Sequence, residues 1–402
     1  MVQQAVLVSL AFLVSLLSFP RQAHAADAAA TPQKEWTVLV FLNGHNNLDS
    51  YGTKDMLEME KVGSSDKVNV VVQWASLATD KTRRILVKKG SSSTTVTSPV
   101  VQSLPRVDMG DYHSLVEFVR WGVQNYPAKH YLIDVWNHGS GWRKTTLDQW
   151  GAKDISFDDV SGHSITTLQL GQAIRESATI IGHKVDLYGS DACLMGMAEI
   201  ADELSDSVDI FAGSEEVEPA NGWPYDLLVT RINEMADATP TNVGKALAEE
   251  YVKSYQAGPQ GDDDATFSVF DLGRMGELNT AIKAFGDRLK SLSGSERTTV
   301  AGAFKTTQKF TYSDYGDLLD FTSIVQTANL ASLRGDVIPN LQLAAKNFIV
   351  TNLVTARYTR AKGLAIWLPT SSSTYKQYIA KYRALKFSAD TSWDSALNAV
   401  LP

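Results

Sequence analysis

Apolar positions along this chain fall into two patterns, short unbroken runs and helix-spaced stripes, and the two alternate. Glu35 to Leu42 contains W-T-V-L-V-F-L, and Val68 to Trp74 is a second continuous run, as expected of strands covered on both faces. Between them Asn43 to Asn47 reads as a turn and Leu48 to Val62 as a helix. Residues 84–101 suggest a hairpin around S-S-S-T-T. Tyr112 to Tyr126 spaces Leu115, Phe118, Val119 and Val123 to bury one helix face. Further strands are predicted at 130–136, Val185 to Tyr188, Ile210 to Gly213, Thr266 to Asp271 and Leu364 to Leu368. Helices are predicted near Ile165 to Ile180, Leu194 to Leu204, 224–238 and 241–256. Strand and helix in alternation predict an α/β fold with a mainly parallel sheet flanked by helices. From Leu272 onward helices dominate, near 272–292, 296–308 and 316–350.

The N-terminus adds a different kind of segment. Residues 5–17 are apolar but shorter than the roughly 20 residues a membrane-spanning helix needs, and A-H-A at 23–25 is a small-x-small cleavage site. Residues 1–25 are therefore expected to be a cleavable signal peptide for secretion or delivery to the periplasm, and 26–34 a flexible lead-in. Residues 35–271 are expected to form the core, with 272–402 a helix-rich part that adds a last strand to the same fold. With 37 Lys and Arg against 45 Asp and Glu, net charge −8, nothing favours a nucleic-acid partner. No membrane association is expected once the signal is removed, and the chain is expected to act as a monomer.

Composition also isolates one thiol. Cys193 is the only cysteine among 402 residues, so no internal disulfide can form. It follows an apolar strand in V-D-L-Y-G-S-D-A-C-L-M-G-M, and a helix starting at Leu194 would place it near unpaired N–H groups that favour thiolate. His138 stands 55 residues earlier at the tip of a similar strand and turn, H-Y-L-I-D-V-W-N-H-G-S-G-W. If both strands lie in one parallel sheet, their C-terminal ends share an edge, where such sheets place their sites. A histidine base and a cysteine nucleophile each supply what the other needs. The N–H groups of Gly139 and Cys193 are positioned to hold an oxyanion.

These motifs resemble the clostripain family of cysteine peptidases, relatives of caspases, legumain and gingipains. H-G closes one strand and D-A-C a later one, and F-L-N-G-H-N-N-L-D at 41–49, G-S-E-E-V-E-P-A-N-G-W-P-Y-D at 213–226 and G-L-A-I-W-L-P at 363–369 look like family landmarks. His45 stands where the family usually has an acid before the Asn-Asn pair. The resemblance implies a caspase-like three-layer sandwich and an endopeptidase of protein or peptide substrates that cuts after Arg or Lys. It also implies self-cleavage in the loop after His138, where Arg143, Lys144 and Lys153 are candidates. A basic P1 residue needs carboxylates in its pocket, and Asp191, Glu216, Glu218 and Asp226 are available. Asn221 occupies a place where an acid is expected.

A different class of reading is a catalytically silent binding protein that kept the fold. The seven His are scattered, and no G-x-S-x-G, H-E-x-x-H or P-loop occurs. No metal centre and no required cofactor are expected. The turn G-D-D-D-A at 261–265 is the one place where calcium could bind, although it is too compact for an EF-hand loop.

Overall fold

Alternation along the first strand sets up the architecture. In β1 (Lys34–Gly44), Val38, Val40 and Leu42 enter one core while Leu39 and Phe41 enter another on the opposite face. Both faces being apolar, helices must cover both. The computed structural model describes Met1 and residues 33–143 and 154–401, and Gln33–Pro402 form one compact unit. The expected signal peptide and almost all of the lead-in lie outside the described residues.

Nine strands make the main sheet: β1, β2 (Val68–Ser76), β3 (Lys81–Leu86), β4 (Val100–Pro105), β5 (Ala128–Trp136), β6 (Val185–Asp191), β7 (Val208–Gly213), β8 (Thr266–Asp271) and β9 (Ile349–Val354). Their spatial order is β9-β8-β7-β6-β5-β1-β2-β3-β4. The five middle strands β7, β6, β5, β1 and β2 are parallel, and the two at each edge pair antiparallel. From β1 the chain first builds toward β2 and then returns to place β5 on the other side. Strand order therefore reverses between β1 and β5, and a crevice opens there at the C-terminal ends.

One face is covered by α1 (Asp49–Val62), α5 (Tyr225–Glu234) and α6 (Pro240–Ser254), which contribute Met56, Met59, Leu228, Ile232, Leu247 and Tyr251 to the core. The other is covered by α2 (Tyr112–Asn125), α3 (Thr167–Ile181) and α4 (Ala198–Leu204), with Phe118, Ile174 and Ile200. Local signals fix the helix ends. Thr166 and Gln169 form a capping box at the start of α3, and Gly182 ends it in a left-handed conformation. The C-terminal helices Met275–Leu289, Gly294–Thr306 and Leu318–Thr327 bury Phe285, Phe304 and Phe321 in the same core as α2, α3 and α4. The result is a three-layer α/β sandwich.

Three sequence expectations need correction. The run 316–350 is not one helical stretch: β-branched I-V-T-N-L-V leaves helix Val337–Phe348 as a strand and supplies the sheet edge β9. The predicted last strand does form, as Ala365–Trp367, but it pairs with Tyr315–Asp317 in a separate two-stranded sheet. The segment after His138, expected as a loop, carries strands of its own, Ile155–Asp158 and His163–Ile165.

Candidate active site

Strand register brings the two candidate residues together. Trp136 of β5 pairs with Asp191 of β6 at the end of the parallel ladder, and His138 and Cys193 each follow two residues later. The turns then abut. A Cβ on Gly139 would meet the Cys193 carbonyl oxygen at 2.4 Å, so only glycine lets the chain pass. That approach also puts the Gly139 backbone beside the Cys193 amide nitrogen, which such a Cβ would reach at 3.2 Å.

Cys193 sits in a held turn. Leu194 adopts a left-handed φ of 64°, a strained conformation for a branched side chain. Its N–H donates to Glu216 O, and that of Gly196 to Ser214 O. This strain explains why α4 starts only at Ala198, so the helix terminus expected beside Cys193 lies further along the chain. Burial, with the nearby Glu216 and Asp191 carboxyls adding to it, pushes the pKa of the Cys193 thiol up to about 11. Sγ lies 4.0 Å from the carbonyl oxygen of Glu218.

His138 is oriented from β1, across the switch point. Its Nε2 lies 2.7 Å from Asn47 Oδ1, and because an amide oxygen only accepts, Nε2 is the donor. In the neutral ring the lone pair is then on Nδ1. Neighbouring asparagines tie the following segment to the same edge: Asn137 accepts from Phe157 N, while Asn43 and Asn46 donate to Phe157 O. His45, in the place of the family's acid, is buried and pairs with Asp158 at 2.8 Å.

The two turns open on a cavity of about 550 Å³. Leu48 and Tyr51 form one wall, Val217 to Ala220 another, and Thr311 and Tyr312 a third. Asp191 and Glu218 make part of its lining acidic, and further acids stand behind Asp191. Asp191, 5% exposed, accepts from Trp223 N and Tyr225 Oη, and Tyr225 Oη is also 2.6 Å from Asp134. Beside them Trp136 Nε1 donates to Asp55. Burial first, then mutual repulsion, holds the carboxyls of Asp134, Asp55 and Glu218 well above the ordinary range, and burial pushes Asp191 up to about 6.

Not all expected pocket residues reach this cavity. Asp191 and Glu218 line it. Glu216 turns away to accept from Thr311 N and Tyr358 Oη. The Asn221 amide donates to Gln260 O, and Asp226 pairs with Lys61 on the surface. The acid missing at Asn221 is thus not missing from the cavity wall. Arg143 is buried, 2.8 Å from Asp314 and stacked over Tyr378, and so is poorly placed as a cut site. Lys144 and Lys153 lie outside the described residues. Among the described residues no cluster of three His, Cys, Asp or Glu could hold a metal ion, and Asp264 of the G-D-D-D-A turn pairs with Arg357.

Sequence reading missed Asn47, Tyr225, Asp55 and Asp134 as site residues. Asp134 did carry a signal, a charge inside the apolar run from Tyr131 to Trp136. Asn47 was legible only as turn chemistry, because its role depends on β1 and β5 being neighbours.

Known proteins resemble this chain in sequence and in fold. The profile of the clostripain family, Peptidase_C11, matches residues 40–399. Clostripain of Hathewaya histolytica is 24% identical over 349 residues, covering 73% of this chain, and the chain spans 63% of the length of that curated relative. A secreted C11 cysteine protease from Bacteroides thetaiotaomicron, in complex with an irreversible peptide inhibitor, shares the fold with a TM-score of 0.69 at 19% identity, over 90% of this chain and 99% of that one. An inactive zymogen C11 protease from Parabacteroides distasonis gives 0.65 at 17%, over 90% and 99%.

Proposed function

The chain belongs to the clostripain family of cysteine peptidases, and on that footing we propose that it is an exported endopeptidase that cuts after Arg or Lys through Cys193 and His138. One observation carries the reading: paired strands β5 and β6 deliver His138 and Cys193, at equal offsets past Trp136 and Asp191, to one cavity with acids in its lining.

In this mechanism the Cys193 side chain rotates from the Glu218 carbonyl toward His138. His138 takes the thiol proton on Nδ1 as sulfur attacks the scissile carbonyl. The N–H groups of Gly139 and Cys193 receive the oxyanion, and His138 then returns its proton to the leaving amine. Water hydrolyses the thioester with His138 again as base. Asp191 receives the P1 cation, for which a buried carboxylate replaces lost hydration. Protein and peptide substrates follow from this chemistry, and no cofactor takes part. Lys144 and Lys153 offer the same basic residue for self-cleavage. Export rests on the apolar run and A-H-A site at the N-terminus.

A fluorogenic peptide library varied only at P1 tests the specificity. Arg and Lys should dominate. Preferred cleavage after small or apolar residues, with Arg and Lys poor, would sink the basic-P1 reading. On storage the wild type should yield two fragments and Cys193→Ala a single chain, whereas equal fragmentation of both would point to another protease.

A further inference from the structure

Glu218 is the oddest acid in the cavity. It is 8% exposed, and among the described residues no N–H or O–H donor reaches either carboxyl oxygen. The Asp191 carboxyl, also buried, lines the same cavity, and after burial its charge is what most raises Glu218. Two buried carboxyl groups with no cation between them avoid facing each other as two anions only if one of them carries a proton. Asp191 has donors of its own, Trp223 N–H and Tyr225 O–H, which stabilise its ionised form. Glu218 has none, so the proton resides there. Other groups whose charges act on the pair add to the need for it: Asp134 behind Tyr225, Asp55 and Glu58 from α1, Tyr251 from α6, Tyr255 just after it, and the Cys193 thiol. Lys54, a cation of α1, pairs with Glu58.

We propose that Glu218 is the second specificity-determining acid of the P1 pocket, and that it shares one proton with Asp191 until a basic P1 side chain enters and expels it. The inference rests on the basic-P1 reading. The exchange is balanced: the P1 cation arrives with its own protons and donates N–H bonds to both carboxylates, while the Glu218 proton leaves to solvent. An uncharged P1 side chain of the same shape gives no reason for that proton to leave. Selectivity for charge over shape is thereby coupled to proton release.

The test uses full-length Cys193→Ala protein, which binds without turnover, and two peptides identical except for Arg or citrulline at P1. Calorimetry at pH 7 in phosphate and in Tris, which differ in ionisation enthalpy, reads the protons exchanged. The Arg peptide should release about one proton and the citrulline peptide none. Adding Glu218→Gln should weaken the Arg peptide about tenfold and abolish the release, while citrulline binding stays within about twofold. Arg binding without proton release, or release undiminished by Glu218→Gln, overturns this proposal and leaves the basic-P1 reading standing. An Arg peptide that binds no better than the citrulline one takes down both.

Discussion

Asn47 Oδ1 and His138 Nε2 are joined by a 2.7 Å hydrogen bond that crosses from the end of β1 to the end of β5. It joins the two turns at the point where strand order reverses, beside the Asn137 side chain, which donates to Asn43 O. In the proposed mechanism the Asn47 bond fixes which imidazole nitrogen is basic. Asn47→Ala should therefore lower kcat roughly 10- to 100-fold with KM little changed, because the ring loses its orientation and not its pocket. Asn47→Asp keeps an acceptor and should recover most of the loss. Equal kcat for Asn47→Ala and wild type would show that His138 needs no anchor.

Gly139 offers a second test, at the contact between the turns. A methyl group there meets Cys193 O at 2.4 Å and the Ala192 side chain at 3.1 Å, so the turns must separate. Separation moves both oxyanion donors, and losing one such donor costs about 10²- to 10³-fold in kcat. Gly139→Ala should show a fall of that order with unchanged far-ultraviolet circular dichroism. Near-normal kcat would remove Gly139 from the oxyanion site.

How much of this was legible beforehand divides along physical lines. Continuous apolar runs gave the buried parallel strands, and the turn residues after β5 and β6 gave His138, Gly139 and Cys193. Register could not be read, because the Trp136–Asp191 pairing depends on strands separated by 55 residues meeting in space. The helix expected at Leu194 failed because backbone strain overrode helix propensity at that residue. The ninth strand was masked by the helix that precedes it without a break. Asn221 looked like a gap in the pocket only because sequence order cannot say that Asp191 and Glu218 face inward and Asn221 toward Gln260.

The Asp191 carboxyl sets a pH dependence with a definite sign. Burial raises it to about 6, so it is ionised above that pH and neutral below. For Arg-P1 peptides kcat/KM should fall about tenfold per pH unit below 6, while the same ratio for a citrulline-P1 peptide should be far less affected by this group. Stability runs the other way. A carboxyl raised in the folded state contributes stability at low pH that is lost as pH rises through 6. Asp191→Asn should thus gain Tm relative to wild type at pH 8 and little at pH 4. A Tm difference that does not grow between pH 4 and 8 would show that Asp191 titrates normally.

The central claim is that Cys193 is the nucleophile and His138 its base, and intact-mass analysis after treatment with an Arg-directed, thiol-reactive peptide inhibitor tests it most directly. The wild type should gain one inhibitor mass, with peptide mapping placing it on Cys193. Peptide hydrolysis should be lost in step with labelling, and His138→Ala should label far more slowly at unchanged circular dichroism. Cys193→Ala that keeps wild-type hydrolysis would contradict the account.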